Sequence, residues 1–328
     1  MTAVPFARRR RRLLLFRLVL TLIVVVAVVL ALWSSWDDVG PYLSALSPAR
    51  LSLAFLAALI TPFLTMLGWR RMLADLDSPL AIAPAAGVFF VGQLGKYVPG
   101  SIWAVLAQAE MGSRLGVPRR RVGVVGLLAI ALALLSGGII GLPALPVLLG
   151  RTELGGYAVV AVVVILAVLC YPPLLNWGIG TGLRILRQAP LEHALSGRAI
   201  VATLTWFTIS WGCSGIAVLL IASDVGDVEV TSGSMLLLAV CGFALSGTFG
   251  MISVIFPAGV GVRDGMLALI LATVMPFAAA AAAAVVMRFL TILVDVLVAG
   301  AGWTWGREHD LLDVGGLEPV PPPSEASQ

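Results

Sequence analysis

Two apolar stretches of this 328-residue chain are interrupted in the same way. The first reads Gly92-Gln93-Leu94-Gly95-Lys96-Tyr97-Val98-Pro99-Gly100-Ser101-Ile102-Trp103, the second Phe256-Pro257-Ala258-Gly259-Val260-Gly261-Val262-Arg263-Asp264-Gly265. Each sets proline, glycines and ionisable side chains inside otherwise lipid-soluble helix. Backbone without helical hydrogen bonds is not tolerated against lipid and survives only inside protein or beside a watery cavity. A charge at that depth is costly and marks a site by default. Two such breaks in corresponding halves of a chain point to a transporter's substrate site.

The surrounding composition fits a bilayer. The chain is 60% hydrophobic and 12% charged, with mean hydropathy +1.04, whereas soluble domains carry about 25% charged residues. Six full spans are expected at roughly 13–33, 51–69, 122–148, 156–175, 199–222 and 277–303. The two broken stretches, 82–112 and 234–274, lie between them. The fold class is therefore all-α polytopic membrane protein. Residues 1–12 form a basic cytoplasmic N-terminus, 13–305 the transmembrane domain and 306–328 a disordered, proline-containing cytoplasmic tail. The first apolar run lacks a small-residue cleavage site and reads as an uncleaved helix.

The arginines orient the chain. Cytoplasmic loops carry an excess of Lys and Arg, so Arg8 to Arg12, Arg70-Arg71 and the Arg114 to Arg121 cluster all belong inside. The net charge of +4 is a topology signal and implies no nucleic acid. Residues 82–112 must then leave and return to one side. As helix they span about 46 Å, short of two crossings of about 30 Å each, so a re-entrant hairpin is expected. The second stretch, about 41 residues, is nearly long enough for two crossings, and both arrangements stay open for it. As hairpins, one dips from each side, an inverted-topology arrangement suited to alternating access. The Ala278 to Ala284 run is either close helix packing or plain lipid-facing alanine. Residues 176–190 read as an interfacial segment.

Candidate site residues follow from the breaks. Lys96 and Arg263, with freed backbone N–H groups at a half-helix start, make an anion site. A lipid phosphate is the natural ligand within the bilayer. Asp264 is placed to serve its neighbour Arg263 as counter-ion or switchable partner, and with Arg288 and Asp295 to gate the site or compensate its charge. Arg288 and Asp295, two turns apart, share one face of the last helix. Glu110 and Arg114 are an i,i+4 pair in the favourable order, expected where the first hairpin returns to the interface. Tyr97, Trp103 and Gln108 are candidates for the cavity wall. Cys170, Cys213 and Cys241 lie in apolar runs without metal-ligand spacing, and His193 and His309 sit in connectors. No catalytic arrangement, metal or cofactor is expected.

These motifs resemble the lysylphosphatidylglycerol synthase transmembrane (flippase-like) family. Gly95-Lys96-Tyr97-Val98-Pro99-Gly100-Ser101-Ile102-Trp103 with Arg114 is similar to its first motif, and Pro257 to Gly265 to its second, usually Pro-Gly-Gly-x-Gly-x-Arg-Glu-Gly. Arg288 is similar to a recurring arginine of the last helix. Here Ala258 replaces a glycine and Asp264 replaces the glutamate, one methylene shorter. The resemblance implies substrate contacts at Lys96, Tyr97, Arg263, Asp264 and Arg288. Gly95, Pro99, Gly100, Glu110, Arg114, Pro257, Gly259, Gly261 and Asp295 would support them. It implies a flippase of the inner cell membrane moving an anionic phospholipid or polyprenyl-phosphate-linked lipid. Such a protein would work beside glycan or lipid biosynthesis enzymes. No aminoacyl transferase domain is present, so lysyl transfer is not expected. The rival expectation is a membrane glycosyltransferase or lipid-modifying enzyme using Asp37 or Asp38.

Overall fold

A computed structural model describes residues 41–98 except 43, 102–149, 152–154, scattered positions between 156 and 184, 195–226, 233–253 and 259–309. The first expected span, the basic N-terminus, Asp37, Asp38, Pro99, Gly100, Cys170, His193, Pro257, Ala258 and the tail from 310 on lie outside the described residues. Among those residues there are nine α-helices with defined ends and no strand. They are α1 Pro48–Asp75, α2 Ile82–Gln93, α3 Trp103–Arg114, α4 Arg119–Gly141, α5 Ala144–Leu148, α6 Gly197–Val225, α7 Gly233–Ile252, α8 Val262–Leu271 and α9 Phe277–Glu308. A 3₁₀ turn, Leu94–Tyr97, extends α2.

Proline punctuates this order. Pro48 opens α1, while Pro118 and Pro276 immediately precede α4 and α9. Pro143 splits the helix expected over 122–148 into α4 and α5, because it lacks an N–H and crowds the carbonyl four residues back.

Five helices among the described residues are long and apolar enough to cross a membrane: α1, α4, α6, Met235–Ile252 of α7, and α9. Four of them match expected spans. The described positions between 156 and 184 are also helical, including those within the expected 156–175 span and the 176–190 segment. On α9, Phe289, Leu293, Val296 and Leu297 face outward while Met287, Leu290, Val294 and Val298 are buried. An outward apolar stripe of that kind requires lipid or another apolar partner around it. The alanine run resolves toward packing, since Ala279, Ala280, Ala282, Ala283 and Ala284 are all buried.

The helices pair in antiparallel register. Along α1 and α6, Ser47 N–H and Arg50 reach Asp224, Thr61 meets Ser214 at 3.1 Å, Thr203 donates to the Gly68 carbonyl, and Ser196 N–H and Oγ reach Asp75. Each helix thus carries in its last turn an aspartate that holds the residue just before the other helix's first turn. Two further pairs run antiparallel. In α2 with α9, Gly87 packs on Gly302 and Lys96 meets Asp295; in α4 with α7, Gly141 packs on the Leu245 backbone and Gly137 on Thr248. The segment α1–α4 therefore corresponds to α6–α9, the first helix of each packing on the other and the second helix of each packing on the partner's fourth.

This arrangement inverts the two hairpins. Arg121 bonds Asp77 O and Ser78, Arg70 bonds Leu80 O, and Glu110 bonds Arg119. The root of the α2–α3 hairpin thus lies at one end of the bundle with the arginine clusters and the start of α6. The α7–α8 hairpin has its root at the other end, where Gly226 meets Met275. The limbs of the first hairpin are short: α3 is about 18 Å and α2 with its 3₁₀ turn about 26 Å. The second is neither two crossings nor an even hairpin. α7 has the length of a span, about 30 Å, and α8 only about 15 Å.

Candidate functional site

Both hairpin tips come to the middle of α9. From the first, Lys96 Nζ lies 2.7 Å from Asp295 Oδ2, and Tyr97 Oη donates to the same oxygen. From the second, Asp264 receives Arg288 through both Nε and Nη2, at 2.8–3.1 Å. Asp264 also accepts the Gly261 backbone N–H at 3.2 Å, fixing the first turn of α8. The carboxylate expected to balance Arg263 is thus taken by Arg288. The i,i+1 neighbours on a helix point apart, whereas the α8–α9 contact puts Asp264 opposite Arg288.

Arg263 takes a different setting. Its guanidinium lies over the Phe243 ring at 4.5 Å and reaches the Thr291 hydroxyl at 3.5 Å. Among the described residues it has no carboxylate within ion-pair distance. The tip is shaped by backbone that only glycine takes easily. Gly259 has φ +66° and Gly261 φ +82°. A Cβ on Gly259 would stand 2.7 Å from Gly250 Cα, so α7 and the returning strand of chain touch backbone to backbone. In the first hairpin a Cβ on Gly95 would fall 2.4 Å from Ala104 N.

These side chains surround a cavity of about 330 Å³. That is the low end for ligand pockets, roughly 300–1,000 Å³. Lys96, Tyr97, Arg263, Arg288 and Asp295 line it, and Gly259 contributes backbone. Counting Asp264 behind Arg288, three cations stand against two carboxylates, leaving one net positive charge. Pro62, inside α1, lines the same space with Ala58. Proline cannot donate to the carbonyl four residues back, so the Ala58 carbonyl loses its helical partner beside the cavity.

A model of the lysylphosphatidylglycerol synthase transmembrane region matches residues 18–299. The chain belongs to this family. No curated protein matches it. In this lysylphosphatidylglycerol synthase-type membrane domain the described residues of the two sequence motifs lie at the two hairpin tips, and the arginine of the last helix is the clamp on Asp264.

The structure brings together Lys96, Tyr97, Arg263, Asp264, Arg288 and Asp295, with Gly95, Gly259 and Gly261 shaping the tips. Gln108 also lines the cavity. Glu110 and Arg114 lie away from it, at the root of the first hairpin, where Glu110 pairs with Arg119 at 2.9 Å. Pro99, Gly100 and Pro257 fall outside the described residues. Sequence reasoning missed Phe243, Thr291, Gln93 and Trp69, all of which line the cavity. Thr291 was findable, because it lies between Arg288 and Asp295 at i+3 and i−4 spacing. Phe243, Gln93 and Trp69 carried no local signal.

Proposed function

We propose that this protein is a carrier that moves a phosphate-bearing lipid between the leaflets of the cell membrane. The anionic phospholipids and polyprenyl-phosphate lipids share the chemistry required. Arg263 carries the reading: a cation at a hairpin tip, beside a mid-bundle cavity, with no carboxylate among the described residues at ion-pair distance. A phosphate oxyanion supplies the missing charge and accepts from the guanidinium in its preferred bidentate geometry. Lys96, at the other tip, stays paired with Asp295 and lines the same cavity. Arg288 is neutralised by Asp264 and positions the tip. The acyl or prenyl chains remain in lipid. Two hairpins entering from opposite ends support alternating access, in which one half rocks against the other around a fixed site. The arginine distribution favours both termini on the cytoplasmic side. Nothing in this reading needs a chemical step, so the protein acts on lipids made or consumed by other enzymes.

Reconstitution in vesicles with a fluorescent anionic lipid tests it. The wild type should expose inner-leaflet lipid to an external quencher. Arg263→Ala should abolish that movement while its melting profile stays cooperative. Movement at the wild-type rate in the Arg263→Ala protein rejects the assignment.

A further inference from the structure

The cavity holds a second group of polar side chains that the phosphate reading does not use. Gln93 on α2 and Gln108 on α3 both line it, and so does Trp69 on α1. Gln108 is 3% exposed and Trp69 is fully buried. Among the described residues neither glutamine amide has a hydrogen-bond partner, and the Trp69 indole N–H is a buried donor with none. A polar group kept from water without a partner is costly, and native interiors avoid it unless a ligand or water completes it. Trp69 Nε1 is in that condition, and the two amides, which lack a protein partner among the described residues, come from two other helices to line the same cavity.

The charged part of the site says what the missing partner is not. Asp295 is committed to Lys96 and Tyr97, and Asp264 to Arg288 and Gly261. A head-group ammonium would find both carboxylates occupied and Lys96, Arg263 and Arg288 nearby. The amides offer both donors and acceptors without charge, which matches hydroxyl groups. We infer that Gln93, Gln108 and Trp69 form a subsite for an uncharged, hydroxyl-bearing head group, a glycerol or a sugar, attached through the phosphate held at Arg263. This rests on the reading of the cavity as a lipid head-group site.

The test compares four lipids in reconstituted protein: phosphatidylglycerol, a polyprenyl-phospho-hexose, phosphatidic acid and phosphatidylethanolamine. The expected result is that one of the two hydroxyl-bearing lipids is retained in native mass spectra and moved between leaflets at least about tenfold better than the other two classes. Which one wins separates glycerol from sugar. Gln108→Leu and, separately, Gln93→Leu should each reduce that preference by about tenfold, the worth of one hydrogen bond to a buried partner. Retention of phosphatidic acid should stay unchanged, which also reports that the variants fold. Trp69→Phe, which removes the N–H together with the five-membered ring that carries it, should act in the same direction, with phosphatidic acid retention again reporting the fold. Equal retention of all four lipids, or a preference unaltered in the leucine variants, overturns the subsite. Selective retention without any transbilayer movement keeps the subsite and rejects only the carrier reading.

Discussion

Asp264 follows Arg263 in sequence, yet its carboxylate is forked by Arg288 from the neighbouring helix, at 2.8–3.1 Å. Arg288 and Asp264 are 11% and 23% exposed at the side chain. Removing one partner of such a part-buried pair takes away the other's counter-ion, at a cost below the about 3–5 kcal/mol of a fully buried pair. Asp264→Asn and Arg288→Gln should therefore each lower the melting temperature in detergent. The charge swap Asp264→Arg with Arg288→Asp should recover part of the loss. A melting temperature unmoved by either single substitution contradicts the clamp.

Lys96 and Asp295 form the corresponding tie for the first hairpin. Lys96→Met alone leaves Asp295 buried with only Tyr97, and should destabilise more than the double variant Lys96→Met with Asp295→Leu, because well-packed apolar pairs replace buried ion pairs at little cost. Thermal unfolding checks the order. Lipid movement separates fold from site, since the double variant should fold yet transport poorly.

Gly259 tests how close the second tip must come to α7. Gly259→Ala meets both a left-handed backbone, φ +66°, and the Gly250 Cα at 2.7 Å. The backbone term alone is about 1–2 kcal/mol, and the clash adds to it. Gly265→Ala, where an added Cβ meets nothing within 4 Å, should be close to neutral. Protein yield and melting temperature for the pair give the comparison.

The two ends of the α1–α6 pair offer a test of additivity. Asp75→Ala removes the acceptor of Ser196, and Asp224→Ala removes that of Ser47 and Arg50. Each should cost about 1–2 kcal/mol, the range of lost helix caps. The sites are roughly 40 Å apart along α1, so the double variant should equal the sum of the singles within about 0.5 kcal/mol. A large departure in denaturant unfolding would show that the two ends communicate.

Much of this architecture was legible because membranes penalise irregular backbone and charge so heavily. Gly95, Lys96, Gly259 and Gly261 marked the two tips, and the seven-residue spacing put Arg288 and Asp295 on one face of α9. What stayed hidden was pairing across elements. Adjacency suggested Arg263 with Asp264, but the α8–α9 contact decided it for Arg288. The length of α7 was also illegible. Gly242, Gly247 and Gly250 look like breaks, yet they sit in continuous helix because Ile270, Trp211 and Arg263 pack directly against them. Gln93 carries no sequence signal, since its unpartnered amide is visible only once the cavity around it is closed.

The charge count at the site, three cations against two carboxylates, has an electrical consequence. The array is +1 when empty, and one phosphodiester brings it to zero. A loaded protein then carries no net charge through the membrane field as it changes conformation. The empty protein does, and a unit charge crossing 100 mV gains or loses about 2.3 kcal/mol. A membrane voltage should therefore act on the return of the empty protein and leave the loaded step unaffected. Under an imposed potassium diffusion potential, net lipid movement should respond to voltage, while one-for-one exchange of lipid, which never requires the empty form to return, should not.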